Sequence, residues 1–233
     1  MNKETLAHCS LFILHYPLVM KKPGIIYVYD ALCGWCYGFS PVIRRFHQQY
    51  AADFDFDVLS GGMMTGTRVK PISESMSYIE QAYKVVEERT GVTFGDGYLT
   101  NILKPGTYVS DSEKPGMAMT LVKAIAPEYA VEFAGILQNA LYRDGIDLNV
   151  DAEYGPLVEP FGIDPDEFVA HLSDPAIKEQ TWSEFNLVSQ YGINGFPTVI
   201  ADVDDKLFAL ARGYVSYEQL DASAKQILKL GQA

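Results

Sequence analysis

Gly24 to Pro41 read GIIYVYDALCGWCYGFSP, and the fold turns on this stretch. Its opening run, IIYVY, is β-branched and aromatic and follows Pro23-Gly24, the composition of a buried strand. Two cysteines, Cys33 and Cys36, come directly after the strand, three residues apart. From Pro41 to Tyr50 the period changes. Val42, Ile43 and Phe46 share one helical face, and Arg44, Arg45 and Gln48 take the other. Asp53 to Ser60 then alternate, with Phe54, Phe56 and Val58 against Asp53, Asp55 and Asp57, as in a strand with one wet face. The unit is β–α–β, and the cysteine pair sits at its first strand-to-helix turn.

Outward from this unit, helical periodicity dominates from about Ser73 to Tyr191. Ile72, Met76, Ile79, Ala82, Tyr83 and Val86 fit one face, with Gly91 as a stop. Asp164-Pro165 and Asp174-Pro175 each read as an N-cap followed by proline in the first turn. β character returns at Pro197–Ala201 and again at Leu207–Arg212, across an Asp204-Asp205 turn. Ser216-Tyr217-Glu218-Gln219 is a capping-box pattern that opens a last helix. The order β–α–β, helices, β–β–α makes one mixed sheet only if the helical block is an insertion. The expected class is α/β: a mixed β-sheet flanked by helices, with an inserted all-helical subdomain. The boundaries are a loose N-terminal extension over 1–22, the sheet domain over 23–65 and 193–233, and the insertion over 66–192.

Bulk properties narrow the function. A chain of 233 residues, 48 % hydrophobic and 21 % charged, builds a large globular domain. A formal net charge of -12 repels phosphate backbones and anionic lipid, which argues against nucleic-acid and membrane partners. The apolar run Leu11–Met20 is broken by His15 and Pro17 and lacks both a basic n-region and a small-residue cleavage site. The expected location is therefore cytoplasmic rather than periplasmic, with Met20-Lys21-Lys22 as the natural start of the domain. Three cysteines, Cys9, Cys33 and Cys36, are too few for a disulfide framework. Zinc needs about four ligands, and His8, His15, His47 and His171 are scattered. No metal or organic cofactor is expected; the redox centre is the Cys33–Cys36 pair itself.

The chemistry follows from position. Two cysteines one helical turn apart can bridge without moving the backbone. A helix N-terminus offers unpaired N–H groups and the positive end of the dipole, which favour a thiolate on the first cysteine. Cys33 is the expected nucleophile, and Cys36 the resolving thiol that breaks the mixed disulfide. Cys9 lies outside the domain as a bystander.

The segment Asp30-Ala-Leu-Cys-Gly-Trp-Cys-Tyr-Gly-Phe-Ser-Pro41 resembles the active-site turn of the DsbA family of the thioredoxin superfamily. Gly192-Ile-Asn-Gly-Phe-Pro-Thr198 resembles that family's loop opposite the cysteines. The resemblance runs from about Gly24 to Leu230. It implies a thioredoxin-like fold and a protein disulfide oxidoreductase or isomerase. It implies protein or small thiol and disulfide substrates, and a reducing or oxidising redox partner. It also implies a cis Pro197 lying against the sulfurs, a Phe196 backbone open to an extended substrate, and Trp35 at the rim as a substrate platform or a packed indole. Tyr37, Phe39, Met63 and Met64 are candidates for an apolar surface beside it. Two departures leave the direction of electron flow open. Gly34-Trp35 match neither the Pro-His of typical DsbA proteins nor the Gly-Pro of thioredoxins. The family's buried acid, six residues before the first cysteine, is here Tyr27, while Asp30 is close by at a strand end that can face solvent. Two other functions share the fold: a kappa-type glutathione-linked transferase or isomerase, which needs no resolving cysteine, and a non-enzymatic adaptor.

Overall fold

The computed structural model describes residues 22–230. The N-terminal extension, with His8, Cys9 and His15, lies outside the described residues, apart from Lys22. Strand β1 (Gly24–Tyr29) leads through a short turn into helix α1 (Gly34–Tyr50) and strand β2 (Asp55–Ser60). Near the other end, β5 (Thr198–Val203) and β6 (Lys206–Arg212) are followed by the last helix, α8 (Tyr217–Leu230). These strands form one sheet in the order β2-β1-β5-β6. β1 and β2 run parallel, Tyr27 opposite Val58, and the other pairs are antiparallel. A parallel pair needs a crossover, and α1 supplies it. The central strand β1 is buried along most of its length, with Ile25, Tyr27, Val28 and Tyr29 at 0–1 % exposure, as a strand flanked on both sides must be.

Between β2 and β5 lies the insertion. Its main helices are α2 (Met76–Thr90), α3 (Glu113–Ile125), α4 (Ala130–Tyr142), the short α5 (Gly155–Val158), α6 (Pro165–His171) and α7 (Pro175–Gln190). It is not all-helical. Two-residue strands β3 (Lys70–Pro71) and β4 (Val109–Ser110) form a small antiparallel ladder, too short to leave a periodic trace in sequence. Where the apolar period predicts one helix from Ile72, a 3₁₀ turn over Ile72–Ser75 precedes α2.

Several local signals act as their chemistry dictates. Asp164 accepts the Glu167 N–H at 2.9 Å and Asp174 the Ala176 N–H at 2.8 Å, capping α6 and α7. At α8, Gln219 Oε1 accepts the Ser216 N–H (2.9 Å) and Ser216 Oγ accepts the Gln219 N–H (3.3 Å), a reciprocal capping box. The insertion also covers the open edge of β2, which would otherwise expose unpaired backbone. Lys123 on α3 donates to the Val58 carbonyl (2.6 Å), and Glu184 on α7 accepts the Ser60 N–H (2.6 Å). Lys123 is itself paired with Glu184 at 2.8 Å and Asp57 at 2.9 Å.

Candidate active site

Cys33 occupies the N-cap of α1 in extended conformation, φ −93° and ψ 110°. Its N–H donates to the Asp30 carbonyl at 3.1 Å, and its carbonyl accepts the Tyr37 N–H at 3.1 Å. No side chain caps this end of the helix, so the first-turn N–H groups stay available to the sulfur. Cys33 and Cys36 are both free thiols. Cys33 keeps 7 % exposure, whereas Cys36, one turn in, is fully buried. Burial pushes the Cys36 thiol well above its ordinary pKa, and the adjacent Cys33 sulfur pushes the same way. The two thiols are thus unequal.

The Phe196–Pro197 peptide is cis. The Cys33 thiol donates to the Phe196 carbonyl at 3.5 Å across a separation of 163 residues. The loop is held on both sides of that contact: Thr198 Oγ1 donates to the Gly195 carbonyl (2.9 Å), and Gly213 N–H to the Pro197 carbonyl (2.7 Å). The Phe196 ring lies over Gly61 at the end of β2. A Cβ on Gly61 would stand 2.1 Å from Phe196 Cζ, so this close approach requires glycine.

Asp30 does not face solvent. It is 1 % exposed and accepts from the Leu32 N–H (2.9 Å), the Met63 N–H (2.7 Å) and the Ser112 hydroxyl (3.0 Å). Three segments distant in sequence meet on one carboxylate: the cysteine turn, the loop after β2 and the start of α3. Desolvation raises the Asp30 pKa, against the pull of these hydrogen bonds. At Tyr27 the phenol is fully buried, and its hydroxyl has no hydrogen-bond partner among the described residues. Burial lifts its pKa well above the usual phenol value, and Cys36 beside it pushes the same way. The carboxyl buried beside the cysteine turn is therefore that of Asp30.

The insertion reaches the cysteine turn directly. Tyr142 on α4 donates to the Leu32 carbonyl at 2.5 Å. Gln138, fully buried on the same helix, has an amide orientation that donates to the Cys36 carbonyl and accepts the Tyr37 N–H, each at 3.2 Å. Sequence reasoning missed both residues. Tyr142 reads as one more apolar position on α4, and the one visible signal for Gln138 is a polar residue amid an apolar helical run. Tyr37 and Phe39 are buried at 6 % and 0 % exposure, and belong to the core rather than to an apolar surface. Trp35 is half-buried, its ring 6.4 Å from that of Tyr214. With Met63 and Met64, also half-buried, it lines a cleft of about 320 Å³ that opens on Cys33 and runs under the insertion. A second groove, lined by Phe196, Thr198 and Gly213, lies on the other side of the loop.

A family model described as a DSBA-like thioredoxin domain matches residues 24–224. The chain belongs to the DsbA-like thioredoxin-domain family. Among solved structures, a candidate protein disulfide isomerase from Nitrosomonas europaea is 28 % identical, with a TM-score of 0.80 over 90 % of this chain and 99 % of that one. The cytosolic disulfide reductase DsbM from Pseudomonas aeruginosa is 27 % identical, with a TM-score of 0.75 over 90 % of this chain and 100 % of that one. DsbM with glutathione gives 25 % identity and a TM-score of 0.71, over 89 % and 98 %. A 2-hydroxychromene-2-carboxylate isomerase at 14 % identity shares the fold alone. No curated protein matches significantly. Among the described residues, no helix is long and apolar enough to cross a membrane.

Proposed function

We propose that this member of the DsbA-like family reduces disulfides through Cys33 and Cys36, in the cytoplasm. The observation that carries the mechanism is the inequality of the two thiols. Cys33, at the helix end and 3.5 Å from the Phe196 carbonyl, can meet a substrate sulfur, whereas Cys36 is sealed behind it. The Cys33 thiolate attacks one sulfur of the substrate disulfide. A Cys33–S bond forms, the substrate S–S bond breaks, and the leaving thiolate takes a proton. Cys36 then loses its proton and attacks Cys33 Sγ, releasing the second substrate thiol and leaving the Cys33–Cys36 disulfide. Two electrons pass from the dithiol to the substrate, and an external thiol restores the pair.

The raised pKa of Cys36 suits this order. Held as a thiol until a mixed disulfide forms, it does not compete for the first attack. A glutathione-linked isomerase would need no second thiol, so the burial of Cys36 one turn behind Cys33 favours exchange. The reducing direction and the cytoplasmic setting are supported by the likeness to DsbM, a cytosolic disulfide reductase. Glutathione as the restoring thiol is supported by the DsbM structure that contains it. The likeness to the Nitrosomonas protein supports isomerisation of protein disulfides as a related activity.

The test is reduction of insulin and of a small disulfide with glutathione as electron source. Cys33→Ser should abolish turnover, and Cys36→Ser should accumulate a mixed disulfide visible by mass spectrometry. The Cys33–Cys36 couple should lie nearer the roughly −270 mV of thioredoxin than the roughly −120 mV of DsbA. Undiminished activity in Cys33→Ser would end the proposal.

A further inference from the structure

The cleft beside Cys33 carries chemistry that exchange alone does not use. At about 320 Å³ it is roughly twice the cavity of about 150 Å³ that accepts one benzene. It therefore has room for two fused rings, or for one ring with a short chain. Part of its wall is a packed aromatic cluster around Phe94. Tyr83, Tyr98 and Tyr142 stand around that ring with centroids 5.5, 5.6 and 5.2 Å away. Ile79 and Ala82 of α2 also line it. Such walls favour a planar apolar guest through edge and offset contacts. Of the residues lining the cleft, Lys70 alone carries a charge. Its ammonium has no ion pair with any described residue. On a chain of net charge -12, one lysine in the lining of an aromatic cleft selects a carboxylate.

We propose that the cleft is a subsite for small aromatic disulfides bearing a carboxylate: the ring packs against the aromatic wall around Phe94, the carboxylate meets Lys70, and the S–S bond is presented to Cys33. This rests on the exchange mechanism above and names its low-molecular-weight substrates. Cys33 attacks the ring-bearing sulfur, the outer thiolate departs and is protonated, and Cys36 displaces the aromatic thiol. The dithiol is oxidised by two electrons, the ligand is reduced by two, and a thiol reductant resets the pair.

Two measurements test the subsite. Calorimetry with 2-naphthoate and the uncharged 2-naphthalenemethanol needs no redox chemistry. Wild type should bind both. Ala82→Phe, which fills the cleft from α2, should weaken both by at least about 10-fold. Lys70→Gln should weaken naphthoate about 3- to 10-fold and the alcohol far less. Turnover of the mixed disulfide of 4-(mercaptomethyl)benzoate and 2-mercaptoethanol, relative to bis(2-hydroxyethyl) disulfide, should favour the aromatic substrate. That preference should shrink in Ala82→Phe. If neither disulfide is turned over while naphthoate binding keeps its sensitivity to both substitutions, the exchange mechanism fails and the binding site stands. Naphthoate that does not bind, or that binds equally to all three proteins, overturns the subsite.

Discussion

Replacing Asp30 by Asn separates what the buried carboxylate contributes through its hydrogen bonds from what its charge costs. In the variant, the amide oxygen can still accept the Leu32 N–H and the Ser112 hydroxyl. The amide nitrogen then faces the Met63 N–H, donor against donor. One bond is lost and two buried donors are left facing each other, a loss of at least about 1–3 kcal/mol. Against this stands the desolvation that raises the Asp30 pKa in the folded protein. The sign follows from linkage. The folded carboxyl holds its proton to higher pH than the unfolded one, whose pKa is about 3.9. The stability this group contributes is therefore complete below the unfolded pKa and is lost as pH rises through the folded pKa. Asn has no such slope. The stability gap between wild type and Asp30→Asn should be widest at acid pH and narrow as pH rises. Urea unfolding followed by the fluorescence of Trp35 and Trp182, from about pH 3.5, below the unfolded pKa, to about pH 8, measures it. For a domain of this size each kcal/mol also moves the melting temperature by roughly 2–4 °C. A gap that widens with pH would mean that the hydrogen bonds outweigh desolvation, and would refute the reasoning.

Other expectations rest on single contacts. Lys123→Met leaves Glu184 and Asp57, with side chains 11 % and 18 % exposed, facing each other without their cation. It should cost about 3–5 kcal/mol in urea unfolding, and adding Glu184→Gln should recover part of that loss. Gly61→Ala places a Cβ 2.1 Å from Phe196 Cζ, so the ring must swing away and drag the loop that meets Cys33. Insulin reduction should fall by about 10-fold or more while the far-UV circular dichroism stays native; unchanged turnover would show the loop to be indifferent to that ring. Tyr108→Phe removes a buried hydroxyl with no hydrogen-bond partner among the described residues, and should leave thermal stability equal or slightly higher. Tyr142→Phe, which strips the Leu32 carbonyl of its donor, should lower stability by about 1–3 kcal/mol in the same assay.

What was legible in the sequence is what short-range chemistry decides. The β1–α1–β2 unit, the aspartate caps of α6 and α7, and the capping box of α8 each depend on residues a few positions apart, so periodicity and cap rules reach them. The two landmarks that meet at the site, the cysteine pair and Phe196-Pro197, were legible as motifs, although only the fold brings them within 3.5 Å. The ladder of β3 with β4 was not legible, because two residues show no period and Pro71 argues against a strand. Nor was the burial of Asp30. Two of its three partners, Met63 and Ser112, lie 33 and 82 residues away, and nothing local distinguishes this Asp from a solvated strand end.

That division bears on how the site works. The elements of the proposed nucleophilic attack, two thiols and a helix end, are local to residues 33–36. The groups that constrain the pair come from far along the chain. Tyr142 holds the Leu32 carbonyl, Gln138 lies against the backbone of Cys36 and Tyr37, and Asp30 ties the turn to Ser112. All three act from, or through, the insertion. Burial is the leading cause of the raised Cys36 pKa, and the Cys33 sulfur beside it adds to the rise. A swap of Gly34-Trp35 for Gly-Pro or Pro-His alone should shift the Cys33–Cys36 potential. Combining the swap with Tyr142→Phe should shift it by an amount different from the sum of the two separate changes, because both then act on one turn. Strictly additive shifts, measured against glutathione, would show that the insertion covers the site without tuning it.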